Sequence, residues 1–203
     1  MDVLSVIKEI KIVPVVVINS VIEVVPTLSA LKNGDVPIAE ICFRTDCAED
    51  SIKIAVKEFP DMCIGAGTVI NEYQCVRAIE CGAKFIVSPG YSDKVFEICK
   101  KYHVPYIPGA LTPTEIMNIL SKDIKLIKFF PAGEFGGIKA IKALSSAFPQ
   151  VSFLPTGGVN NDNLKEFINS KFIYACGGSW VSKGTPEEIT KKCLEARKII
   201  KGE

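Results

Sequence analysis

Short apolar runs alternate along the chain with longer segments in which apolar residues recur at helical spacing. The short runs predict eight strands, at residues 13–18, 39–44, 63–68, 85–88, 106–108, 126–130, 152–156 and 173–176. The longer segments predict eight helices, near residues 21–33, 47–58, 71–81, 92–102, 113–121, 137–147, 161–169 and 186–200. Five polar residues are placed to cap helices: Asp46, Asn71, Ser92, Thr112 and Thr185.

Strands that alternate strictly with helices form parallel sheets, so the pattern predicts an α/β protein. The count of eight favours a single closed (β/α)8 barrel, a TIM barrel over residues 1–203, above an open doubly wound sheet. About 200 residues is the small end for such a barrel, so the loops must be short. Barrel chemistry lies at the carboxyl ends of the strands, and phosphate often binds after strands seven and eight.

Composition and charge narrow the function classes. The 203 residues carry 24 Lys plus Arg and 23 Asp plus Glu, and a net charge of +1 gives no electrostatic case for nucleic acid or a membrane surface. The segment Met1–Leu4 lacks the basic start of a signal peptide. Eight scattered cysteines without a C-x-x-C motif predict buried free thiols in a reducing cytoplasm. With His103 as the only histidine, neither a metal nor a cofactor is predicted.

The second predicted strand carries charged residues where a core strand should not. Period two puts Glu40, Cys42 and Arg44 on one face, opposite Ile41 and Phe43. The apolar face should meet the helices, so the charged face should point into the barrel. The alternative is a buried ion-pair network without a catalytic role.

Lys128 lies between Ile127 and Phe129, late in the sixth predicted strand. A lysine wedged under the helices would strand its charge in an apolar layer, so we expect it to face inward. A desolvated lysine can attack a carbonyl as a neutral amine. Inward residues of alternate strands share a layer, so Glu40 and Lys128 can face each other. The alternative is a lysine that extends to the rim.

Small and polar residues follow several of the other strands. Thr68 ends the third predicted strand, and the sequence Ser88-Pro89-Gly90 ends the fourth, where turn chemistry alone is a sufficient explanation. The last two strands end in glycine pairs, Gly157-Gly158 and Gly177-Gly178, the second followed by Ser179. Such loops expose backbone N–H groups, so two of them predict a phosphate site.

An inward lysine, an inward carboxylate, an arginine at the same mouth and a phosphate cradle suit one chemistry. It is Schiff-base catalysis on a phosphorylated keto acid, in which the lysine forms an imine that acts as an electron sink. The carboxylate relays protons. The arginine pairs with the carboxylate of the substrate.

Seven motifs in order then resemble the bacterial 2-keto-3-deoxy-6-phosphogluconate aldolases, which also cleave 4-hydroxy-2-oxoglutarate. The motifs are residues 40–48 (E-x-x-x-R-T-[DE]-x-A in the family), 65–69, 88–90, 107–109, 128–132, 155–159 and 177–180. The resemblance covers nearly the whole chain and implies a class I aldolase of the Entner–Doudoroff pathway, a homotrimer without a cofactor.

The resemblance also implies a role for each site residue. Lys128 is the Schiff-base residue and Glu40 the general acid/base, with Arg44 and Thr68 at the pyruvyl carboxylate. The remaining positions shape the pocket (Pro89, Phe130, Thr156) or hold phosphate (Gly157, Gly158, Gly178, Ser179).

Three other readings remain open from the sequence. One is a relative that acts on the galactonate-derived epimer, or mainly on unphosphorylated 4-hydroxy-2-oxoglutarate. Another is a phosphate-binding barrel that isomerises or condenses sugar phosphates without an imine, with Lys128 and Glu40 as acid and base. The third is a non-catalytic phosphosugar-binding barrel.

Overall fold

The computed structural model describes residues 2–203, in which eight parallel strands alternate with helices. The strands are β1 (Ile12–Val16), β2 (Ile38–Cys42), β3 (Cys63–Gly67), β4 (Ile86–Val87), β5 (Tyr106–Ile107), β6 (Leu126–Phe129), β7 (Ser152–Pro155) and β8 (Cys176–Gly178). The helices are α1 (Val3–Ile10), α2 (Val24–Asn33), α3 (Ala48–Glu58), α4 (Glu72–Glu80), α5 (Asp93–Lys101), α6 (Pro113–Leu120), α7 (Gly137–Ala147), α8 (Leu164–Ile168) and α9 (Pro186–Lys201). Two 3-10 turns, Val21–Glu23 and Trp180–Ser182, complete the elements.

The strands form two sheets rather than one continuous ladder. Six of them pair in the order β5-β4-β3-β2-β1-β8, and β6 pairs with β7. The prediction of a parallel α/β fold is therefore confirmed, whereas the closed eight-stranded barrel is confirmed only as far as this curled six-stranded sheet. The two breaks lie between β5 and β6 and between β7 and β8, where β5 has two residues and β8 has three, so few ladder hydrogen bonds can form.

Burial follows the pattern that parallel sheets require. Every residue of β1, β2, β3 and β6 is buried, so both faces of these strands are covered. The core is one hydrophobic cluster that extends from Val3 on α1 to Ala196 on α9. Among residues 2–203, no helix combines the length and apolar composition that a membrane crossing needs.

Helix starts match the expected caps at four of five positions. The side chains of Asn71 and Ser92 accept backbone N–H groups of the first turn, and Thr112 and Thr185 form capping boxes. The prediction for Asp46 is wrong: α3 begins at Ala48 and Cys47 is its cap residue.

Strand ends differ from the predicted boundaries in a way that affects the site. β2 ends at Cys42, so Arg44 lies in the following turn, where its N–H donates to the Cys42 carbonyl at 2.8 Å. The prediction that Arg44 continues the strand face is therefore wrong. β3 ends at Gly67, and Thr68 takes a left-handed conformation with φ of 56°. Both side chains are aimed by turns rather than by strand alternation.

Candidate active site

A lysine and a carboxylate meet inside the curled sheets. Glu40 is the third residue of β2 and Lys128 the third of β6. Lys128 Nζ donates to Glu40 Oε1 at 3.1 Å, with the lysine side chain 3% exposed and the glutamate 0%. Each buried charge is compensated by the other, which is the condition for keeping both out of water.

One oxygen of this buried pair is left without a partner. Within residues 2–203, Glu40 Oε2 is buried and makes no hydrogen bond, although buried polar atoms are nearly always paired. The Lys128 ammonium also lies 5.6 Å from the centre of the Phe130 ring, within cation–π range. Glu40 Oε2 is therefore free to accept a hydrogen bond from a third group, and the Phe130 ring lies beside the pair.

Arg44 and Thr68 form a second polar unit at the mouth of the sheet. Arg44 Nε donates to Thr68 Oγ1 at 3.0 Å, and the arginine side chain is exposed. The turn after β2 and the left-handed residue after β3 bring these two side chains together. A guanidinium fixed on one edge in this way can present its other donors to a carboxylate.

Cys42 connects the two polar units and was absent from the predicted site. Its Sγ lies 3.9 Å from Glu40 Oε1, beside the Thr68 hydroxyl, and close enough to Lys128 and Arg44 to feel both charges. Burial, reinforced by the negative charge of Glu40, raises the pKa of Cys42 to about 12. The thiol is therefore a neutral packing group, and the period-two alternation of β2 was the signal that pointed to it.

Pro89 stands apart from the charged pair, exposed in the turn after β4. Ser88 Oγ donates to the Val69 carbonyl at 2.5 Å, which fastens the start of this turn. The turn packs closely on Gly109, where any side chain would overlap the Pro89 carbonyl. Pro89 is thereby fixed at the rim, with no polar contact to Glu40 or Lys128 among the described residues.

The loop after β7 has the conformation that its glycines predict. Gly157 and Gly158 have φ of 85° and 81°, a region that side chains rarely enter. Gly157 packs beside the Phe130 ring, and the Gly158 carbonyl accepts from Asn163 Nδ2 at 2.8 Å. Thr156 just before them is buried against Gly177 of β8. The structure thus brings this loop to the same mouth as Phe130.

The loop after β8 is joined to the loop after β7 by a tryptophan. Gly178 ends β8 and packs against the Trp180 ring, and Ser179 is the cap residue before the 3-10 turn. Trp180 Nε1 donates to Asn161 Oδ1 at 2.8 Å, which holds the two glycine loops side by side. Sequence reasoning placed the loops correctly as neighbours and did not identify this link.

These features define a class of protein: a parallel α/β fold with a buried lysine–carboxylate pair inside its strands, and with a guanidinium and two glycine loops following the carboxyl ends of those and neighbouring strands. The sequence profile of the family described as KDPG and KHG aldolase matches residues 3–195. The chain belongs to this aldolase family.

Known proteins show the same relationship over nearly the full length. The KHG/KDPG aldolase of Escherichia coli K12 is 38% identical over 191 residues, which cover 91% of this chain and 90% of that protein. The KDPG aldolase structure from Legionella pneumophila, with pyruvate captured as a covalent carbinolamine, has a TM-score of 0.92 at 34% identity and covers 97% of this chain and 98% of its own. The Zymomonas mobilis ZM4 aldolase with 3-phosphoglycerate has a TM-score of 0.91 at 34% identity, covering 97% and 95%.

Proposed function

We propose that this protein is a class I aldolase that cleaves 2-keto-3-deoxy-6-phosphogluconate to pyruvate and glyceraldehyde 3-phosphate, and 4-hydroxy-2-oxoglutarate to pyruvate and glyoxylate. The observation that carries the proposal is the buried contact of 3.1 Å between Lys128 Nζ and Glu40 Oε1. An amine can attack a ketone only after losing its proton, and the adjacent carboxylate accepts that proton. The family membership supplies the substrate class.

The reaction follows from the positions of these two groups. Lys128 Nζ attacks C2 of the keto acid, and Glu40 returns a proton so that water leaves and an imine forms. Glu40 then takes the proton of the C4 hydroxyl, the C3–C4 bond breaks, and the electron pair moves into the imine to give an enamine. The aldehyde departs, Glu40 protonates C3, and water releases pyruvate from the lysine. The unpaired Glu40 Oε2 is the atom available for these transfers.

The remaining site residues are proposed to hold the two ends of the substrate. Arg44, steadied by its bond to Thr68, pairs with the C1 carboxylate that both substrates share. The backbone N–H groups of the two glycine loops, joined through Trp180, hold the distal phosphate. Pro89, Phe130 and Thr156 shape the wall between these ends.

Trapping of the imine tests the proposal. Incubation with pyruvate and borohydride, followed by peptide mass spectrometry, should give a reduced pyruvyl adduct on Lys128. Lys128→Met and Lys128→Arg should lose both the adduct and the cleavage activity, because neither side chain supplies a neutral amine at neutral pH. Lys125→Met, which removes an exposed lysine three residues earlier, is the matched control and should keep both. Turnover close to wild type in either Lys128 variant would contradict the mechanism.

The proposal extends to architecture and assembly. We infer that the strands close into one eight-stranded barrel domain, supported by single parallel bridges between Gly109 and Lys128 and between Thr156 and Gly177. We also infer a cytoplasmic location, supported by the eight free cysteines. We infer a homotrimer, supported by large exposed apolar side chains near the mouth, such as Ile22 and Tyr73. Light scattering should then give three times the 22.1 kDa chain mass, and a monomer would contradict the trimer.

A further inference from the structure

Hydrogen bonds fix only one oxygen of the Glu40 carboxylate. Its Oε1 accepts from Lys128 Nζ and, more weakly, from the Cys42 thiol, and Oε2 has no partner within residues 2–203. A carboxylate with one fixed oxygen can swing about its side-chain torsions. Proton transfer to a defined atom needs that motion to be suppressed. The packing around the carboxylate therefore has to determine its orientation.

Gly67 lies directly under this carboxylate. In the β2–β3 ladder Gly67 pairs with Cys42, two residues beyond Glu40. A Cβ added at Gly67 would overlap the Oε1, Cγ and Cδ atoms of Glu40. The glutamate thus fills the volume that any other side chain at position 67 would occupy.

Backbone conformation does not require this glycine. Gly67 is a regular residue at the end of β3 and has no positive φ, in contrast to Gly157 and Gly158. A glycine in a strand interior weakens the strand unless a close approach needs it. Here the close approach is that of a catalytic side chain, and glycine serves space rather than backbone freedom.

We propose that Gly67 is a positioning residue, whose bare Cα forms the seat that keeps the Glu40 carboxylate against Lys128 with Oε2 facing the substrate. The inference rests on the proposed aldolase function of the same pair. An alanine at position 67 displaces the end of a flexible side chain, so the carboxylate moves while the strand stays. Proton transfer then slows, whereas the carboxylate site at Arg44 and the lysine itself remain.

A double-mutant cycle separates this role from a general loss of packing. The four proteins are the wild type, Gly67→Ala, Glu40→Ala and the double variant. The readouts are deuterium exchange from solvent into the pyruvate methyl group, the rate of aldol cleavage, the KM for the keto acid and the melting temperature. Gly67→Ala should slow exchange and cleavage about 100-fold, as expected for a misplaced catalytic group, with little change in KM. In the Glu40→Ala background, where the seat is empty, the same substitution should change either rate less than about threefold.

Two further variants sharpen the cycle. Ile64→Val loosens the same strand without touching Glu40, so it should lower the melting temperature and leave exchange unchanged. Glu40→Asp shortens the side chain by one methylene, so it should recover part of the exchange rate lost in Gly67→Ala. If Gly67→Ala fails to fold, we expect the double variant with Glu40→Ala to fold, because the Glu40 atoms that overlap the new Cβ are then absent.

The outcomes distinguish this inference from the proposed function. Wild-type protein that forms the borohydride-trapped adduct, together with Gly67→Ala exchange at the wild-type rate, would overturn the role of Gly67 alone. Equal losses in both Glu40 backgrounds, or a double variant that unfolds like the single one, would do the same. Wild-type protein that forms no adduct and exchanges no methyl protons would overturn the aldolase function and this inference together.

Discussion

The charges of Lys128 and Glu40 are buried, so water does not stabilise them. With side chains 3% and 0% exposed, each group depends on the other for compensation. Removing one partner of such a pair costs far more than the pair contributes, since an uncompensated charge stays behind. Substitutions here must therefore be judged by rate and stability together.

Glu40→Gln tests the acid/base role at the residue scale. The amide has the same shape and neither takes nor returns a proton, so kcat should fall by about 10²–10⁴-fold in a folded protein. Glu49→Gln is the matched control, because Glu49 is a partly buried partner of Arg77 outside the site and should leave kcat unchanged. Steady-state kinetics and melting temperature are the measurements. A lower melting temperature with kcat preserved would show that Glu40 is structural.

Residue types predict Lys128 and Glu40 of this site, whereas the positions of the other side chains depend on turn conformations that the sequence pattern does not encode. A lysine between Ile127 and Phe129 and a glutamate between Ala39 and Ile41 violate strand patterning, so the sequence alone draws attention to both. Thr68 is predicted to end the third strand, but β3 stops at Gly67 and a left-handed φ of 56° sets the direction of the Thr68 side chain. No periodicity encodes that angle.

At the element scale, the loops after β7 and β8 combine glycine conformation with side-chain anchors. Asn163 fixes the Gly158 carbonyl, and Trp180 on the next loop reaches Asn161. Loops anchored at both ends can present backbone N–H groups in a fixed arrangement, so a ligand loses little binding free energy to ordering the loops.

Gly158→Asp tests whether the two glycine loops hold the phosphate end of the substrate. A negative charge at this loop should raise KM for 2-keto-3-deoxy-6-phosphogluconate roughly tenfold or more and largely spare 4-hydroxy-2-oxoglutarate, which carries no phosphate. A side chain here also crowds Gly133, 2.9 Å from the added Cβ, so uncharged Gly158→Asn is the matched control for crowding. Equal losses on both substrates for folded Gly158→Asp would refute the phosphate assignment.

Arg44→Ala should impair the cleavage of both substrates, and Arg44→Lys should not restore that activity fully.

Elements with strong local signals could be predicted from the sequence, and those set by neighbours could not. The Thr-Pro starts of α6 and α9 were predicted because cap and first-turn chemistry are local. Helix α1, which Asp2 caps, is not among the predicted helices, because it precedes the first strand of the strand–helix alternation. The strand predicted at 173–176 begins instead at Cys176, since its pairing with β1 decides where it starts.

At the scale of the whole molecule, one arginine joins distant parts of the chain. Arg197 on α9 is 8% exposed, donates to the Ile10 carbonyl at 2.8 Å and pairs with Asp35 at 3.0 Å. These contacts tie the last helix to the first helix and to the approach to β2. Arg197 therefore stabilises the amino-terminal side of the sheet, opposite the carboxyl side where barrel proteins have their active sites.

The buried thiols predict how stability of the whole molecule responds to alkali. Burial raises the pKa of Cys63 to about 11 and those of Cys176 and Cys193 to about 12, above an ordinary value of 9.0. The native state therefore holds these thiol protons more tightly than the unfolded state does. Their stabilising contribution is complete below pH 9 and is lost progressively as the pH rises through the folded pKa values.

Urea titrations between about pH 9 and pH 11 should accordingly show the free energy of unfolding falling by about 2 kcal/mol for each such thiol. Cys193→Ala provides the control: it lowers stability at every pH by opening a cavity, yet it removes one titrating group and so reduces the slope against pH. The change of slope, rather than the stability itself, is the decisive quantity. A wild-type free energy that stays constant across this range, or a Cys193→Ala slope as steep as that of the wild type, would show that these thiols are not the groups that respond to alkali.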